Sequence, residues 1–169
     1  MRILATPRLT LEPQVVAHAE ELFAALSDPA IYEYENQPPR SADWLRQRLA
    51  KLEARQSTDG REQWLNWAVR PHGAKLVGYV QATIFADGHA MIAYELASSH
   101  WGLGLASEAT GAMVAELRDR YDVRVVMAVF KKPNHRSRRL LERLGFMPAP
   151  QQKYALHHVE PDEDLMLRT

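Results

Sequence analysis

Cysteine is absent from the 169-residue chain, and so is any net charge. Without cysteine the chain can form no disulfide, no thiolate metal site and no thiol nucleophile, which fits a reducing compartment. The 21 Lys and Arg residues balance the 21 Asp and Glu residues, so the formal charge is +0. A balanced chain has no global attraction to nucleic acid or to an anionic membrane. We therefore expect neither nucleic acid nor membrane among its partners.

Long apolar runs are also missing. Residues 1–13 contain no apolar stretch of signal-peptide length. The longest strongly apolar run, VVMAVF at 125–130, is far too short to span a bilayer. The absence of such runs and of cysteine makes the cytoplasm the expected location. Because the length of the chain suits one hydrophobic core, residues 1–169 are expected to form a single domain.

Apolar periodicity predicts strands and helices in alternating groups. Strands are predicted at 8–12, 64–70, 75–85, 90–97 and 123–130, with one or two more near 153–158 and 164–168. Helices are predicted at 15–26, 41–55, about 105–120 and 134–145. Turn residues at 71–73 and 87–88 favour antiparallel hairpins between the middle strands. This order predicts an α/β fold, in which a mixed sheet carries helices on its faces.

The most informative segment is WGLGLASEA at 101–109, which follows a predicted strand and opens a predicted helix. Glycines let the backbone approach a ligand, and the free N–H groups of a first helical turn can hold a phosphate. A tight turn without a ligand is the simpler alternative. A Walker loop needs Gly-Lys-Ser/Thr, which the chain lacks. A dinucleotide site needs an acidic residue after the next strand, where Lys131 and Lys132 stand instead.

The wider segment AYELASSHWGLGLASEA at 93–109 resembles the acyl-CoA-binding signature of the GCN5-related N-acetyltransferase (GNAT) superfamily. A second match lies downstream, where Asn134-His135-Arg136-Ser137 precedes LLERLGF at 140–146. Trp101 stands where many members carry Gln or Arg, a form similar to the branch that acetylates N-terminal amines of ribosomal proteins. The resemblance implies the GNAT acyl-CoA N-acyltransferase fold, with a splayed, mostly antiparallel central sheet flanked by helices.

The resemblance also implies acetyl-CoA as the acetyl donor. Pantetheine would pair with the exposed end of the strand at 94–97, and the pyrophosphate would lie on the amides of 102–106. Ser107 is expected either to add a hydroxyl to this site or to be a plain helix-start residue. Asn134 is expected to cap a helix and to reach pantetheine. The complete expected cofactor set is Leu96, Ala97, Trp101, Gly102, Leu103, Gly104, Leu105, Ala106, Ser107, Asn134 and Ser137.

An acceptor amine must lose a proton before it can attack, and Glu95 is the expected base. Its strand is mostly apolar, and burial raises the pKa of a carboxyl group; the alternative is a strand-end glutamate that pairs with a neighbouring base or faces solvent. Ser137 is expected to face the sheet, where it either bonds a backbone carbonyl or assists the departing CoA thiolate. Tyr154 is a second candidate acid, the alternative being an aromatic residue of an amphipathic strand. Glu33 and Glu35 are expected either to grip a cationic amine or to be solvated loop acids.

Two further signals are weaker. His157-His158 has no partners at ligand spacing, so no metal site is expected. The stretch from Arg124 to Arg143 is rich in basic residues, which suggests nucleic-acid binding, but the neutral total argues against it. A narrower expectation is contact with the 3′-phosphate of CoA by Lys131, Lys132, Arg138 or Arg139.

The sequence therefore predicts an N-acetyltransferase that moves an acetyl group from acetyl-CoA to a primary amine, either a protein N-terminal α-amine or a small amine. Because the chain has no cysteine, attack is expected to be direct, within a ternary complex. The alternative is a non-catalytic acyl-CoA-binding module. A homodimer is left open.

Overall fold

Eight strands form one sheet in the computed structural model, which describes residues 1–34 and 36–169. The order across the sheet is β1-β2-β3-β4-β5-β6-β8-β7. The strands are β1 (Leu4–Ala5), β2 (Leu9–Pro13), β3 (Glu62–Pro71), β4 (Gly78–Phe85), β5 (His89–Leu96), β6 (Val125–Lys131), β7 (Met147–Pro148) and β8 (Glu163–Arg168). The helices are α1 (Ala19–Leu26), α2 (Ala42–Leu52), α3 (Leu105–Tyr121), α4 (His135–Arg143) and α5 (Gln151–Leu156).

All neighbouring strands are antiparallel except β5 and β6, which are parallel. Their pairing covers only His89–Met91 against Val125–Met127. Beyond that point β5 remains paired with β4 up to Leu96, while β6 remains paired with β8 up to Lys131. The two halves of the sheet therefore diverge, and the edge of β5 towards β6 is open from Ile92 onwards. This confirms the expected splayed, mostly antiparallel sheet.

Helices cover both faces of the sheet. On one face, α1 and α2 bury Leu22, Leu26, Leu45 and Leu49 in a small core with the β3 residue Ala68. On the other face, α3 and α4 join a larger core; their buried residues include Met113, Leu117, Leu140 and Leu141. Since side chains along a strand alternate between the two faces, neighbouring residues of β5 point into different halves of the molecule.

Most predicted elements are present, with shifted ends. The predicted helix at 15–26 begins as a 3-10 turn at Val16–His18 before α1. Ser41 caps α2, because its side chain accepts a hydrogen bond from the Trp44 amide at 3.0 Å. The two-residue strands β1 and β7 had no alternation long enough to predict them. No helix among the described residues is long and apolar enough to cross a membrane.

The predicted strand near 153–158 is wrong, because this segment belongs to α5 and the turn that follows it. Pro150 precedes the helix, and the run Gln-Gln-Lys-Tyr-Ala-Leu consists mostly of good helix formers. No β-branched residue occurs at 151–158, so the segment lacks the β-branched residues that favour strands. The second prediction for this region, a strand at 164–168, is confirmed by β8.

Candidate active site

A cleft of about 680 Å³ lies where β5 and β6 diverge. One half is lined by the end of β5, by the loop that begins at Trp101 and by the first turns of α3 and α4. We call this the donor half. The other half is lined by α2, by the α1–α2 connection and by β4, and we call it the acceptor half. The strand β5 separates them and contributes Ala93, Tyr94, Glu95 and Leu96 to the lining.

The glycine loop turns the chain sharply into α3. Gly102 and Gly104 both have φ +76°, a left-handed conformation that side chains other than glycine rarely adopt. Gly104 occupies the N-cap position of α3, where no side chain caps the helix. The amides of Leu105, Ala106 and Ser107 form the first turn, whose N–H groups have no partner within a helix. Together with the positive end of the helix dipole, they form an anion site.

Glu108 fixes this loop against the segment between β1 and β2. Its carboxylate accepts hydrogen bonds from Thr6 Oγ1 at 2.6 Å, from the Arg8 amide at 2.9 Å and from Arg8 Nε at 2.6 Å. Arg8 Nη1 in turn donates to the Leu103 carbonyl at 2.8 Å. Burial opposes ionisation of Glu108, but the bonds from Thr6 and Arg8 prevail and lower its pKa. The glutamate of the WGLGLASEA segment therefore supports the loop, a contact that local sequence pattern did not reveal.

Trp101 also supports the cleft. Its indole N–H donates to the Leu96 carbonyl at 2.8 Å, so this carbonyl of the open strand is already used within the chain. The Arg136 guanidinium lies 4.2 Å from the centre of the Trp101 ring and 2.7 Å from the Glu33 carboxylate. The loop between α1 and α2, the glycine loop and α4 therefore meet at Arg136.

Ser137 faces β5, as its position in a stripe with Leu140 and Leu141 predicted. Its Oγ lies 2.5 Å from the Tyr94 hydroxyl. The Ser137 amide donates to Asn134 Oδ1 at 3.0 Å, which confirms Asn134 as the N-cap of α4. Burial raises the pKa of Tyr94 to about 12, although the contact with Ser137 opposes this rise. Tyr94 is therefore a protonated phenol at neutral pH, held beside a hydroxyl in the donor half.

Glu95 points to the other face of β5. It stands directly opposite Tyr79 of β4 in the sheet register. Asn36 Nδ2 donates to Glu95 Oε1 at 3.1 Å. Burial, followed by the charge of Glu95 and a hydrogen bond to it, raises the pKa of Tyr79 well above its ordinary value. Burial, and to a smaller extent the negative charge of Glu95, also raises the pKa of Tyr32. The carboxylate thus lies among phenols that stay protonated in the acceptor half.

The close approach of β4 to Glu95 depends on Gly78. This residue has φ +149°, and a Cβ atom added to it would lie 2.0 Å from the Glu95 carbonyl oxygen and 2.7 Å from the Leu96 Cα. Real Cβ atoms essentially never come so close to backbone. Gly78 therefore sets the distance between β4 and the end of β5 that carries Glu95.

Several expected residues lie elsewhere. Glu33 is exposed, is paired with Arg136 and is not part of the cleft lining, while Glu35 lies outside the described residues. The Tyr154 hydroxyl accepts a hydrogen bond from the Leu165 amide at 3.2 Å and is also outside the lining. Of the donor set, Ala97 and Leu103 do not line the cleft, whereas Ser107 does.

The basic stretch divides into paired and cleft-lining residues. Lys131 bonds Asp162 and Glu163, each at 3.0 Å, and Lys132 donates to the Pro161 carbonyl at 2.7 Å. Arg138 pairs with Asp164. Arg139 and Arg143 line the donor half of the cleft. Of the four residues expected near the CoA 3′-phosphate, Arg139 is therefore the one whose position suits that contact.

Sequence reasoning missed most of the acceptor half. This half is lined by residues that belong to no sequence motif, namely Tyr32, Tyr34, Trp44, Arg48 and Tyr79. Helical periodicity could have placed Trp44 and Arg48 on one face of α2, four residues apart, but not in a cleft.

An open strand edge beside an uncapped helix N-terminus is the arrangement that the resemblance to the acyl-CoA-dependent transferases implies. Residues 8–147 match the family model described as the acetyltransferase (GNAT) domain. The chain therefore belongs to this family and is an acetyl-CoA-dependent acetyltransferase, as the sequence resemblance predicted. Family members take the acetyl group from acetyl-CoA.

Individual relatives agree with this assignment. The chain is 26% identical over 147 residues to the uncharacterized N-acetyltransferase YoaA of Bacillus subtilis, covering 85% of this chain and 82% of that protein. Its fold matches the ribosomal L7/L12 α-N-protein acetyltransferase RimL in complex with coenzyme A, with a TM-score of 0.81, 18% identity and coverage of 99% and 97%. It also matches the ribosomal-protein-S5-alanine acetyltransferase of Vibrio fischeri, with a TM-score of 0.79, 16% identity and coverage of 99% and 96%.

Proposed function

We propose that the chain transfers an acetyl group from acetyl-CoA directly to a primary amine within a ternary complex. The observation that carries this proposal is the continuity of the cleft across the open end of β5. An anion site and Ser137 lie in its donor half, while Glu95 faces its acceptor half. Donor and acceptor can therefore meet at one strand without a covalent enzyme intermediate.

The donor half fits acetyl-CoA. The open edge of β5 offers backbone groups to an amide-bearing arm such as pantetheine, with the exception of the Leu96 carbonyl that Trp101 uses. The first-turn amides from Leu105 to Ser107 suit the pyrophosphate. Arg139 and Arg143 supply positive charge for the remaining phosphate. Trp101, Glu108 and Asn134 act as supports that hold these groups in place.

Glu95 is the proposed base. An ammonium group has no lone pair, so the acceptor must give up a proton before its nitrogen can attack the thioester carbonyl. The Glu95 carboxylate lies in the acceptor half and is oriented by Asn36 and by Tyr79. A carboxylate in this position attracts the ammonium form and then accepts its proton, directly or through one water molecule.

Ser137 is the proposed group near the departing thiolate, and Tyr94 supports it. The two hydroxyls share a hydrogen bond on the donor face of β5. Because Tyr94 remains protonated at neutral pH, it can donate through Ser137 as negative charge develops on the CoA sulfur. Tyr154 is not given this role, since its hydroxyl accepts from the Leu165 amide outside the cleft.

The proposed acceptor is a protein N-terminal α-amine or a small amine. RimL and the S5 enzyme, which share the fold, are named for acetylating ribosomal proteins, and this supports a peptide amine. Tyr32, Tyr34 and Trp44 give the acceptor half aromatic walls, which attract cationic amines as well as apolar side chains.

The test is an acetylation screen with purified protein, acetyl-CoA, small amines and peptides with free N termini. Thiol release gives the rate, and mass spectrometry identifies the acetylated product. The proposal expects amine-dependent thiol release and one acetyl group on the acceptor nitrogen. If no amine is turned over, and CoA binds tightly to both wild type and Glu95→Ala, the chain is instead a non-catalytic acyl-CoA-binding module.

A further inference from the structure

Arg48 places a positive charge in the acceptor half of the cleft. It lies on α2 between the buried residues Leu45 and Leu49, and its side chain lines the cleft. Its guanidinium carbon lies 5.8 Å from the centre of the Trp44 ring. Within the described residues, Arg48 forms no ion pair and no side-chain hydrogen bond.

Two other arginines, one of them on the same helix, are paired with carboxylates. On the same helix, Arg46 pairs with Asp43 and Glu20. Arg70 bonds Glu12 at 2.6 Å and Glu21 at 2.8 Å. Arg48 differs from both, because no residue that the structure describes accepts a hydrogen bond from its guanidinium, whose donors can therefore face a ligand.

Arg48 and Glu95 act on the same partly buried phenol, that of Tyr79. The charge of Glu95 raises the pKa of Tyr79 and the charge of Arg48 lowers it, after the larger effect of burial. Glu95 stands opposite Tyr79 in the sheet register, and Arg48 lines the same half of the cleft as both. The other polar residues that line this half and are described by the structure are neutral amides and phenols, namely Gln14, Asn36, Gln37, Gln81, Tyr32, Tyr34 and Tyr79.

We propose that the acceptor amine also bears a carboxylate, which Arg48 binds while the amine faces Glu95. This inference rests on the proposed acetyl transfer and narrows its substrate class. A planar guanidinium matches a carboxylate through two parallel hydrogen bonds, and an incoming acceptor would remove water from both partners. Acceptors with additional positive charge, such as polyamines, would meet Arg48 as a repulsive group.

The carboxylate can come from two sources, the α-carboxylate of a free amino acid or an acidic side chain near a peptide N-terminus. Matched acceptor pairs separate them. The first pair set consists of α-amino acids and their α-carboxamides. The second consists of peptide amides that differ only in Glu against Gln at the second position. Rates are measured for the wild-type chain, Arg48→Gln, Arg48→Lys and Lys51→Gln, the last being a matched loss of charge on α2 outside the cleft.

Wild type is expected to prefer the carboxylate member of one pair set by about tenfold to a hundredfold in kcat/KM, since a hydrogen bond to a charged group is worth that much. Arg48→Gln should reduce the preference to near parity by raising the acceptor KM, with the acetyl-CoA KM unchanged. Arg48→Lys should keep part of the preference, and Lys51→Gln should keep all of it. Equal rates for both members of every pair in wild type would overturn the inference while leaving acetyl transfer intact.

A binding measurement separates this inference from the proposed function. Calorimetry on the CoA-loaded protein uses N-acetyl amino acids, N-acetyl peptide amides and their uncharged counterparts as probes. Carboxylate-selective binding that Arg48→Gln abolishes would support the inference even if no amine is turned over. Binding that ignores the carboxylate, or selectivity that survives Arg48→Gln, would overturn it.

Discussion

The Tyr94 hydroxyl lies 2.5 Å from Ser137 Oγ, which joins the open end of β5 to the first turn of α4. Its neighbour Glu95 points to the opposite face, towards Tyr79. The alternation of a strand therefore places a phenol in one half of the cleft and a carboxylate in the other, and in the proposed mechanism the first donates a proton and the second accepts one. Two adjacent residues of one strand can serve both ends of an acetyl transfer.

Removal of either hydroxyl should slow thiolate departure. For Ser137→Ala and for Tyr94→Phe we expect kcat to fall about a hundredfold, within the range of general acid catalysis, with little change in CoA affinity. Because the two groups act together, the double variant should be no slower than the slower single variant. Steady-state kinetics with saturating acetyl-CoA measures this; Ser99→Ala, an exposed serine, is the control. If the double variant instead shows the sum of the two losses in log kcat, the two hydroxyls act independently and the shared role is contradicted.

The glycine loop should be sensitive to charge as well as to shape. Gly104→Asp adds a side chain at φ +76° and a negative charge at the N-terminus of α3, so CoA affinity should fall about tenfold or more. The matched control is Gly73→Asp, which imposes similar strain at φ +72° in a turn away from the cleft. Isothermal titration with CoA measures both. Equal CoA affinity in the two variants would contradict the anion site.

The position of β4 should depend on Gly78. In Gly78→Ala the new Cβ would lie 2.0 Å from the Glu95 carbonyl oxygen, so the strands must separate. Gly60→Ala is the comparison, because Gly60 has φ +70° with open space around it and the cost there should be only about 1–2 kcal/mol. Urea unfolding should show a clearly larger loss for Gly78→Ala, and that variant should also lose activity. A stability equal to that of Gly60→Ala would refute the close approach.

The support of the glycine loop should weaken in acid. The bonds from Thr6 and Arg8 outweigh burial and lower the pKa of Glu108 below its ordinary 4.5. Since the folded protein holds the ionised form, Glu108 stabilises the fold above pH 4.5, and this contribution is lost as the pH falls through the lowered pKa. Glu108→Gln should therefore be less stable than wild type near neutral pH and should show a smaller loss between pH 5 and 2. Thermal melts across this range test it, with Glu142→Gln as an exposed control.

The sequence predicted those parts of the site that depend on residues close together in the chain. The glycine loop, the Asn134 cap and the inward stripe of α4 all follow from residues within a few positions of one another. The contacts that complete the site are long-range, such as Tyr94 with Ser137 and Thr6 and Arg8 with Glu108, and no periodicity encodes them. Arg48 is a surface residue of an amphipathic helix by sequence, and only the packing of α2 over β4 brings it into the cleft. The short run at 151–156 was misassigned because six residues are too few to show a period.

Replacement of Glu95 is the sharpest test of whether this carboxylate removes the proton from the acceptor amine. With the acceptor found in the acetylation screen, kcat is measured for wild type and Glu95→Gln, and the CoA dissociation constant is measured for both. The amide preserves the shape of the side chain and its contact with Asn36 but cannot accept the ammonium proton. The account predicts a fall in kcat of about 10²–10⁴-fold with unchanged CoA affinity. A Glu95→Gln protein that acetylates the amine at close to the wild-type rate would contradict it.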